Sequence, residues 1–301
     1  MNDSNCNTVF VICGATAVGK TSFAIALASA LKTEIISADS RQCFRELGMA
    51  VTKPSIEELA SIPHHFINSH SIHDEMNAGI FEQYALGKTE LILNQFGSVV
   101  MVGGTGLYLK SFCQGIDEMP PIDPSIRIEI AASYEEKGLQ WLQNEVEVKD
   151  PLFWQIAERE NPQRLMRALE FIRSTGTSIS NFRTSNKKQR PFRIVKIGLE
   201  LPREILYERI EIRVDQMISK GLIEEAFSLS VFRNNNALQT VGYRELFDAL
   251  DGKITEKEAI QLIKQNTRHY AKRQMTWFKK DDEIKWWDAR TISVEQLKFK
   301  S

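Results

Sequence analysis

Residues 14–21 read GATAVGKT, set between an apolar β-branched run, TVFVIC (8–13), and an alanine- and leucine-rich run, SFAIALASAL (22–31). The first run predicts a buried strand and the second a helix. A G-x-x-x-x-G-K-T spacing at such a junction predicts a phosphate-binding loop. Gly14 and Gly19 let the chain turn so that amides along Gly14, Ala15, Thr16, Ala17, Val18 and Gly19 face one anion, and the helix N-terminus adds partial positive charge. Lys20 places a point charge on the outer phosphates, and Thr21 offers a hydroxyl to magnesium. The loop leaves the ligand open, because ATP, GTP and diphosphate esters all fit it.

Outward from the loop, EIISA (34–38) reads as a second strand ending at Asp39, and SVVMV (98–102) as a third, stopped by Gly103 and Gly104. Buried strands alternating with a helix predict a parallel α/β sheet. Around residues 117–124 the run IDEMPPIDP breaks that texture. SIRIEIAASYEEKG, LQWLQNEVEV and PQRLMRALEFIRSTG then predict helices, the last capped by Gly176. The polar, basic NFRTSNKKQRPF reads as a loop, and RIVKIGLEL (193–201) as a return to the sheet. The remainder from Pro202, with Trp277, Trp286 and Trp287, reads as helical. The expected fold is a P-loop NTPase-like parallel sheet flanked by helices, interrupted by an all-helical insertion. Residues 1–116 form the first part of the core, 117–190 the insertion, and 191–301 the second part of the core with basic C-terminal helices.

Composition sets the class. The 301 residues are 43% hydrophobic and 26% charged, enough for an ordinary core. No stretch is apolar for long enough to cross a bilayer, and MNDSNCNTVF does not read as a secretory signal. Cys6, Cys13, Cys43 and Cys113 form no C-x-x-C pair, which predicts free thiols in a reducing compartment. The expectation is a cytoplasmic monomer. Lys and Arg (38) nearly balance Asp and Glu (39), but Lys187, Lys188, Arg190, Arg193 and Lys196 cluster, as do Arg268, Lys272, Arg273, Lys279 and Lys280. Electrostatic footprints are patches, so an RNA partner stays open.

The usual partners of a hydrolytic phosphate loop are missing. SVVMV ends in Gly103-Gly104 rather than an aspartate, and Asn186-Lys187 continues as Lys188-Gln189, not as a guanine signature. This disfavours a GTPase or motor ATPase and favours a protein that grips a diphosphate. In open parallel sheets ligands bind beyond the carboxyl ends of the strands, so Asp39 in SADSRQ (37–42) should face the ligand. It can serve as a general base there, or as an N-cap of the next helix.

With these two sites in place, the chain resembles the tRNA dimethylallyltransferases over nearly its whole length. GATAVGKT, SADSRQ, TKPS (52–55), PHHF (63–66), GGTGLYL (103–109), NPQRLMRALE (161–170), ERIEIRVDQM (208–217), VGYREL (241–246) and TRHYAKRQMTWF (267–278) occur in that family's order. The chain departs from the pattern at Ala15, where proline is common, and at Cys43-Phe44, where valine-tyrosine is usual. MAVTKPS stands for DIGTAKPS, and Asn68 replaces an aspartate.

The resemblance implies transfer of a dimethylallyl group from its diphosphate to an adenosine amine beside the tRNA anticodon. The implied partners are dimethylallyl diphosphate, the anticodon stem-loop and Mg²⁺. Lys20, Thr21 and Asp39 become the catalytic set, with Mg²⁺ on Thr21 and Asp39 a further candidate ligand. One of Arg209 and Arg213 is expected to join the diphosphate site, Arg213 being the choice. Asp39, Ser40, Arg41, Gln42 and Thr105 are implied to lie against the target nucleotide. Arg127, the block Gln163, Arg164, Leu165, Met166 and Arg167, and the C-terminal Arg268, Lys272 and Arg273 are implied to hold the rest of the RNA. The competing reading of the 163–167 block is a solvated helix face with pairs such as Arg167 with Glu170 or Glu160 with Arg164. Trp277 and Phe278 are expected in the core, and His64 and His65 in structural roles. A P-loop kinase for a small metabolite, a transferase acting on free adenine nucleotide, and a non-catalytic RNA-binding or nucleotide-switch protein are the alternatives.

Overall fold

The computed structural model describes residues 7–117, 119–183 and 187–297. Cys6, Glu118 of the proline-rich break, and residues 184–186 of the basic loop lie outside the described residues. Contacts divide the chain into two compact units, residues 1–114 with 189–301, and residues 115–188.

The first unit is built on a parallel six-stranded sheet: β1 (Thr8–Gly14), β2 (Ile35–Ser37), β3 (His64–His65), β4 (Ser98–Gly103), β5 (Arg193–Glu200) and β6 (Lys285–Asp288), in the order β3-β2-β4-β1-β5-β6. β1 is central and pairs in register with both neighbours, Val9 lying opposite Val99 and Ile194. Because both faces are covered, its side chains are apolar throughout rather than alternating. Val9, Val11 and Cys13 join a core with Phe81, Met101 and Tyr243 on one face. Phe10 and Ile12 join another with Leu27, Val100 and Leu199 on the other face.

β6 corrects the expectation of a purely helical C-terminal part. Trp286 and Trp287 lie in an edge strand that pairs with β5, Trp286 opposite Gly198. A Cβ on Gly198 would stand 2.7 Å from the Trp286 ring, so glycine there makes room for the tryptophan. β3, the dipeptide His64-His65 beside β2, is too short to show in the periodicity of the sequence.

The second unit has its own apolar centre of Ile130, Leu142, Phe153, Leu165, Leu169 and Phe171. Helix Pro124–Lys149 breaks at Gly138, whose φ of 73° and ψ of −169° mark a kink between two helical segments. Helix Pro162–Thr175 starts at Asn161, whose side chain accepts from the Arg164 amide, and stops at Gly176 with φ 70°. Among the described residues no helix is long and apolar enough to cross a membrane, and Cys13, Cys43 and Cys113 are free.

Candidate active site

The phosphate loop leaves the carboxyl end of β1. Gly14 has φ 145°, and a Cβ there would stand 2.4 Å from the Leu199 carbonyl oxygen of β5, so both conformation and space demand glycine. Gly19, at φ 107°, lets the chain turn into helix Lys20–Leu31. Lys20 folds back, its ammonium donating to the Ala15 carbonyl at 2.7 Å. Burial lowers its pKa to about 8, against the opposing pull of Asp39.

Asp39 leaves the adjacent part of the same edge. Its Oδ1 accepts from the amides of Arg41 (2.9 Å) and Gln42 (3.3 Å), which closes a tight turn; no helix follows directly. Oδ2 has no hydrogen bond among the described residues. Asp39 therefore caps no helix, in contrast to the alternative role expected from sequence; one of its oxygens holds the turn and the other is open. Thr105 supports the same turn: its Oγ accepts from the Ser40 amide at 3.0 Å, and its amide donates to the Ala38 carbonyl at 3.3 Å.

One cavity of about 410 Å³ is lined by both elements: Thr16, Lys20 and Thr21 of the loop, Asp39, and Arg213. Parallel pairing causes this, because β1 and β2 flank β4 and end at the same edge of the sheet. Arg213 donates to the Thr16 hydroxyl at 3.4 Å, and burial lowers its pKa. Arg209, one turn earlier, donates instead to the Val18 carbonyl at 3.5 Å and so backs the loop.

Several lining residues were not singled out from sequence, although they fall within the quoted motifs. Gln274 is buried and joins two loops: its Oε1 accepts from the Thr16 amide and its Nε2 donates to the Gly104 carbonyl, both at 2.8 Å. The Thr16 amide, expected to face an anion, is thus already engaged. A Cβ on Gly104 would stand 2.3 Å from Gln274 Nε2, which explains glycine at that position. Tyr270 lines the cavity, with burial pushing its phenol up to about 12. Lys53 also lines it, and its ammonium donates to the Phe44 carbonyl at 2.6 Å and to Asn68 Oδ1 at 2.5 Å. Asn68 supplies a neutral oxygen where the family pattern has a carboxylate, and burial lowers the Lys53 pKa.

Gln42 also departs from expectation. Its Nε2 donates to the carbonyls of Val51 (3.4 Å) and Thr52 (3.1 Å), and its Oε1 accepts from the Ser37 hydroxyl at 3.1 Å. The side chain is spent on holding segment 51–52, where Thr52 sits at φ 48°, strained for a β-branched residue. The far end of that segment is held by Glu225, which accepts from the Met49 amide at 3.0 Å and from the Tyr243 hydroxyl.

The remaining candidates divide. Leu165 is fully buried in the helical unit, so its side chain is corrected from RNA contact to core. Gln163 and Arg164 are exposed, while Met166 and Arg167 are half-buried. Arg164 pairs with Glu158 at 2.7 Å rather than with Glu160; Arg167 and Arg127 both approach Glu170, at 3.6 and 3.4 Å. In the first unit Arg268 pairs with Glu211 at 2.7 Å, and Lys272 and Arg273 are exposed. Phe278 is buried, but Trp277 is 41% exposed and is corrected from core anchor to a surface ring laid over Gly106. His64 Nδ1 donates to the Ile62 carbonyl (2.7 Å) and His65 meets Glu34 at 2.6 Å, neither near a third ligand. Among the described residues no group of His, Cys, Asp and Glu could hold a metal by itself.

Comparison with known proteins matches this architecture. A family model described as IPP transferase matches residues 42–281. A tRNA dimethylallyltransferase of Christiangramia forsetii is 48% identical, covering 94% of this chain and 93% of that protein. The crystal structure of the full-length tRNA isopentenylpyrophosphate transferase of Bacillus halodurans superposes with a TM-score of 0.71 at 34% identity, over 97% of this chain and 93% of that one. A eukaryotic dimethylallyltransferase solved acting on tRNA gives 0.74 at 25% identity, over 97% of this chain and 76% of that one. With its phosphate loop, its acidic turn and its linking glutamine all in one cavity, the chain belongs to the IPP transferase family.

Proposed function

We propose that the chain transfers a dimethylallyl group from dimethylallyl diphosphate to the exocyclic amine of the adenosine 3′-adjacent to the tRNA anticodon, releasing pyrophosphate. The observation that carries this is the shared cavity, which offers a diphosphate cradle and an open carboxylate oxygen to one pair of reactants. The amine nitrogen forms a bond to the allylic carbon as that carbon's bond to the diphosphate oxygen breaks. The electron pair leaves with pyrophosphate, and the amine's proton passes to Asp39 Oδ2. Lys20 and Arg213 stabilise the charge growing on the leaving group, an interaction strengthened by burial. An adenine amine is a weak nucleophile, so alignment by the Asp39 turn supplies much of the rate.

Magnesium fits this site. The Thr21 hydroxyl is a hard donor lining the cavity, and a diphosphate supplies further oxygens, the usual pattern for this ion. Thr21 would hold it, and it would add positive charge against the leaving pyrophosphate. The RNA-facing residues in this reading are Asp39, Ser40, Arg41 and Thr105 at the base. Arg127, Gln163, Arg164, Met166 and Arg167 of the helical unit, with Arg268, Lys272 and Arg273, bind the backbone. The protein acts as a monomer in the cytoplasm.

The test mixes the protein with labelled dimethylallyl diphosphate and Mg²⁺, and supplies unmodified tRNA, AMP or ATP in separate reactions. Label in tRNA is expected. Label only in free AMP would select a nucleotide transferase, and ATP turnover without label would select a kinase.

A further inference from the structure

Tyr270 is the only aromatic side chain lining the donor cavity among the described residues. Helix Glu256–Phe278 carries it one turn before Gln274, so the two share a face. Its hydroxyl is hydrogen-bonded to the Gln274 side chain, which is itself fixed to the Thr16 amide and the Gly104 carbonyl. The ring is thereby held in place relative to the phosphate loop. Tyr270 is nevertheless 37% exposed, which leaves ring surface open to a ligand in the cavity it lines. The Arg273 guanidinium lies 5.8 Å from the ring centre but does not line the cavity, so it does not cover the part of the ring that the cavity meets.

We infer that the Tyr270 ring is a further catalytic group, whose face stabilises the positive charge that develops on the allylic carbon as the diphosphate leaves. The inference rests on the proposed reaction. There the bond from the allylic carbon to the diphosphate oxygen breaks, its electron pair leaves with pyrophosphate, and the amine nitrogen forms the new bond to that carbon. To the extent that breaking runs ahead of forming, the dimethylallyl group carries positive charge in the transition state. The charged groups of the cavity do not serve that charge. Lys20, Lys53, Arg213 and Lys220 line it, which suits a diphosphate and repels a cation. Of the two carboxylates in the lining, Asp39 takes the amine's proton, and Glu58 accepts from the Ser55 amide at 2.8 Å as part of a helix cap. An aromatic face offers partial negative charge and adds no anionic nucleophile that would capture the cation. Burial pushes the phenol up to about 12, so the hydroxyl stays protonated. The Asp39 carboxylate acts on that phenol, which sets the ring close to the group that the amine approaches.

The test replaces Tyr270 in the full-length protein by phenylalanine carrying none, one, two or three ring fluorines, and separately by leucine. Fluorine withdraws charge from the ring face and changes the ring's shape little. Each variant is assayed for single-turnover prenyl transfer with tRNA and donor both saturating, and donor and tRNA affinities are titrated alongside. Tyr270→Phe keeps the face and should transfer within about threefold of wild type. Tyr270→Leu and the trifluorinated ring should lose about tenfold, the scale of one partly desolvated cation–π contact. The loss should grow stepwise with fluorine number while donor affinity stays within about twofold, because the charge exists only in the transition state. A ring that only fills space would give a flat series. A flat series, or a leucine variant as fast as the phenylalanine one, overturns the inference, while transfer by the wild-type protein keeps the proposed reaction. Losses confined to tRNA affinity also overturn it and make the ring an RNA contact. Absence of transfer by the wild-type protein overturns both.

Discussion

Replacing Asp39 by asparagine separates the two jobs its carboxylate performs. Oδ1 accepts from the Arg41 and Gln42 amides at 2.9 and 3.3 Å, and an amide oxygen accepts equally well. The turn, and with it Ser40 and Arg41, should therefore survive in Asp39→Asn. What is lost is the open oxygen that takes the amine's proton. General-base catalysis is worth about 10²–10⁴-fold, so single-turnover prenyl transfer should fall by that factor while tRNA affinity stays within about threefold. Asp39→Ala removes the turn as well. Two hydrogen bonds at about 0.5–1.5 kcal/mol each are lost, which should weaken tRNA binding by roughly tenfold on top of the chemical defect. The assay is rapid-quench transfer of labelled donor with saturating RNA, paired with titration of tRNA binding. An asparagine variant retaining transfer within about threefold of wild type would refute the base assignment. If the alanine variant bound tRNA as tightly as the asparagine variant, the turn would be irrelevant to RNA binding.

Further outcomes follow from the same geometry. Lys20, with burial lowering its pKa to about 8, is charged below that pH and neutral above it, so kcat/KM for the donor should fall as pH rises through about 8. Bound diphosphate favours the charged lysine, so the same limb in kcat should lie at higher pH; identical limbs would separate Lys20 from the leaving group. Gln42→Ala frees Val51 and Thr52 and should raise the donor KM several-fold, at about 1 kcal/mol per lost hydrogen bond, with tRNA affinity unchanged within about twofold. A larger effect on tRNA affinity than on donor KM would return Gln42 to the RNA-reading set. Gln274→Ala leaves the Thr16 amide and Gly104 carbonyl unpaired, and urea unfolding should show a loss of about 1–3 kcal/mol. Unchanged stability together with unchanged donor KM would show that water replaces the bridge.

The phosphate loop was legible because its requirements are short-range: a strand, two glycines in strained or crowded positions, a lysine and a helix start within a few residues. The position of Asp39 is legible for a similar reason, since parallel strands end at one edge and whatever follows them shares that edge. Leu165 differs from its expected role because a motif names a stretch of helix, and only packing decides which side of it faces the core. At Trp286 and Trp287 nothing local distinguishes a short aromatic edge strand from a helix end; pairing with β5 across Gly198 decides it.

From its order of residues alone, then, the chain declares what each short segment prefers: where backbone amides gather, where helices start and stop, and which motifs it shares with its relatives. Only the tertiary structure decided which distant groups complete one another. Gln274 reaches Thr16 across 258 positions. Lys53 takes a neutral partner in Asn68, and Gln42 turns inward to hold a strained segment. Such pairings depend on how the β-sheet and its covering helices bring separate stretches to hydrogen-bond distance. Backbone propensity acts over a few residues and carries no information about that approach.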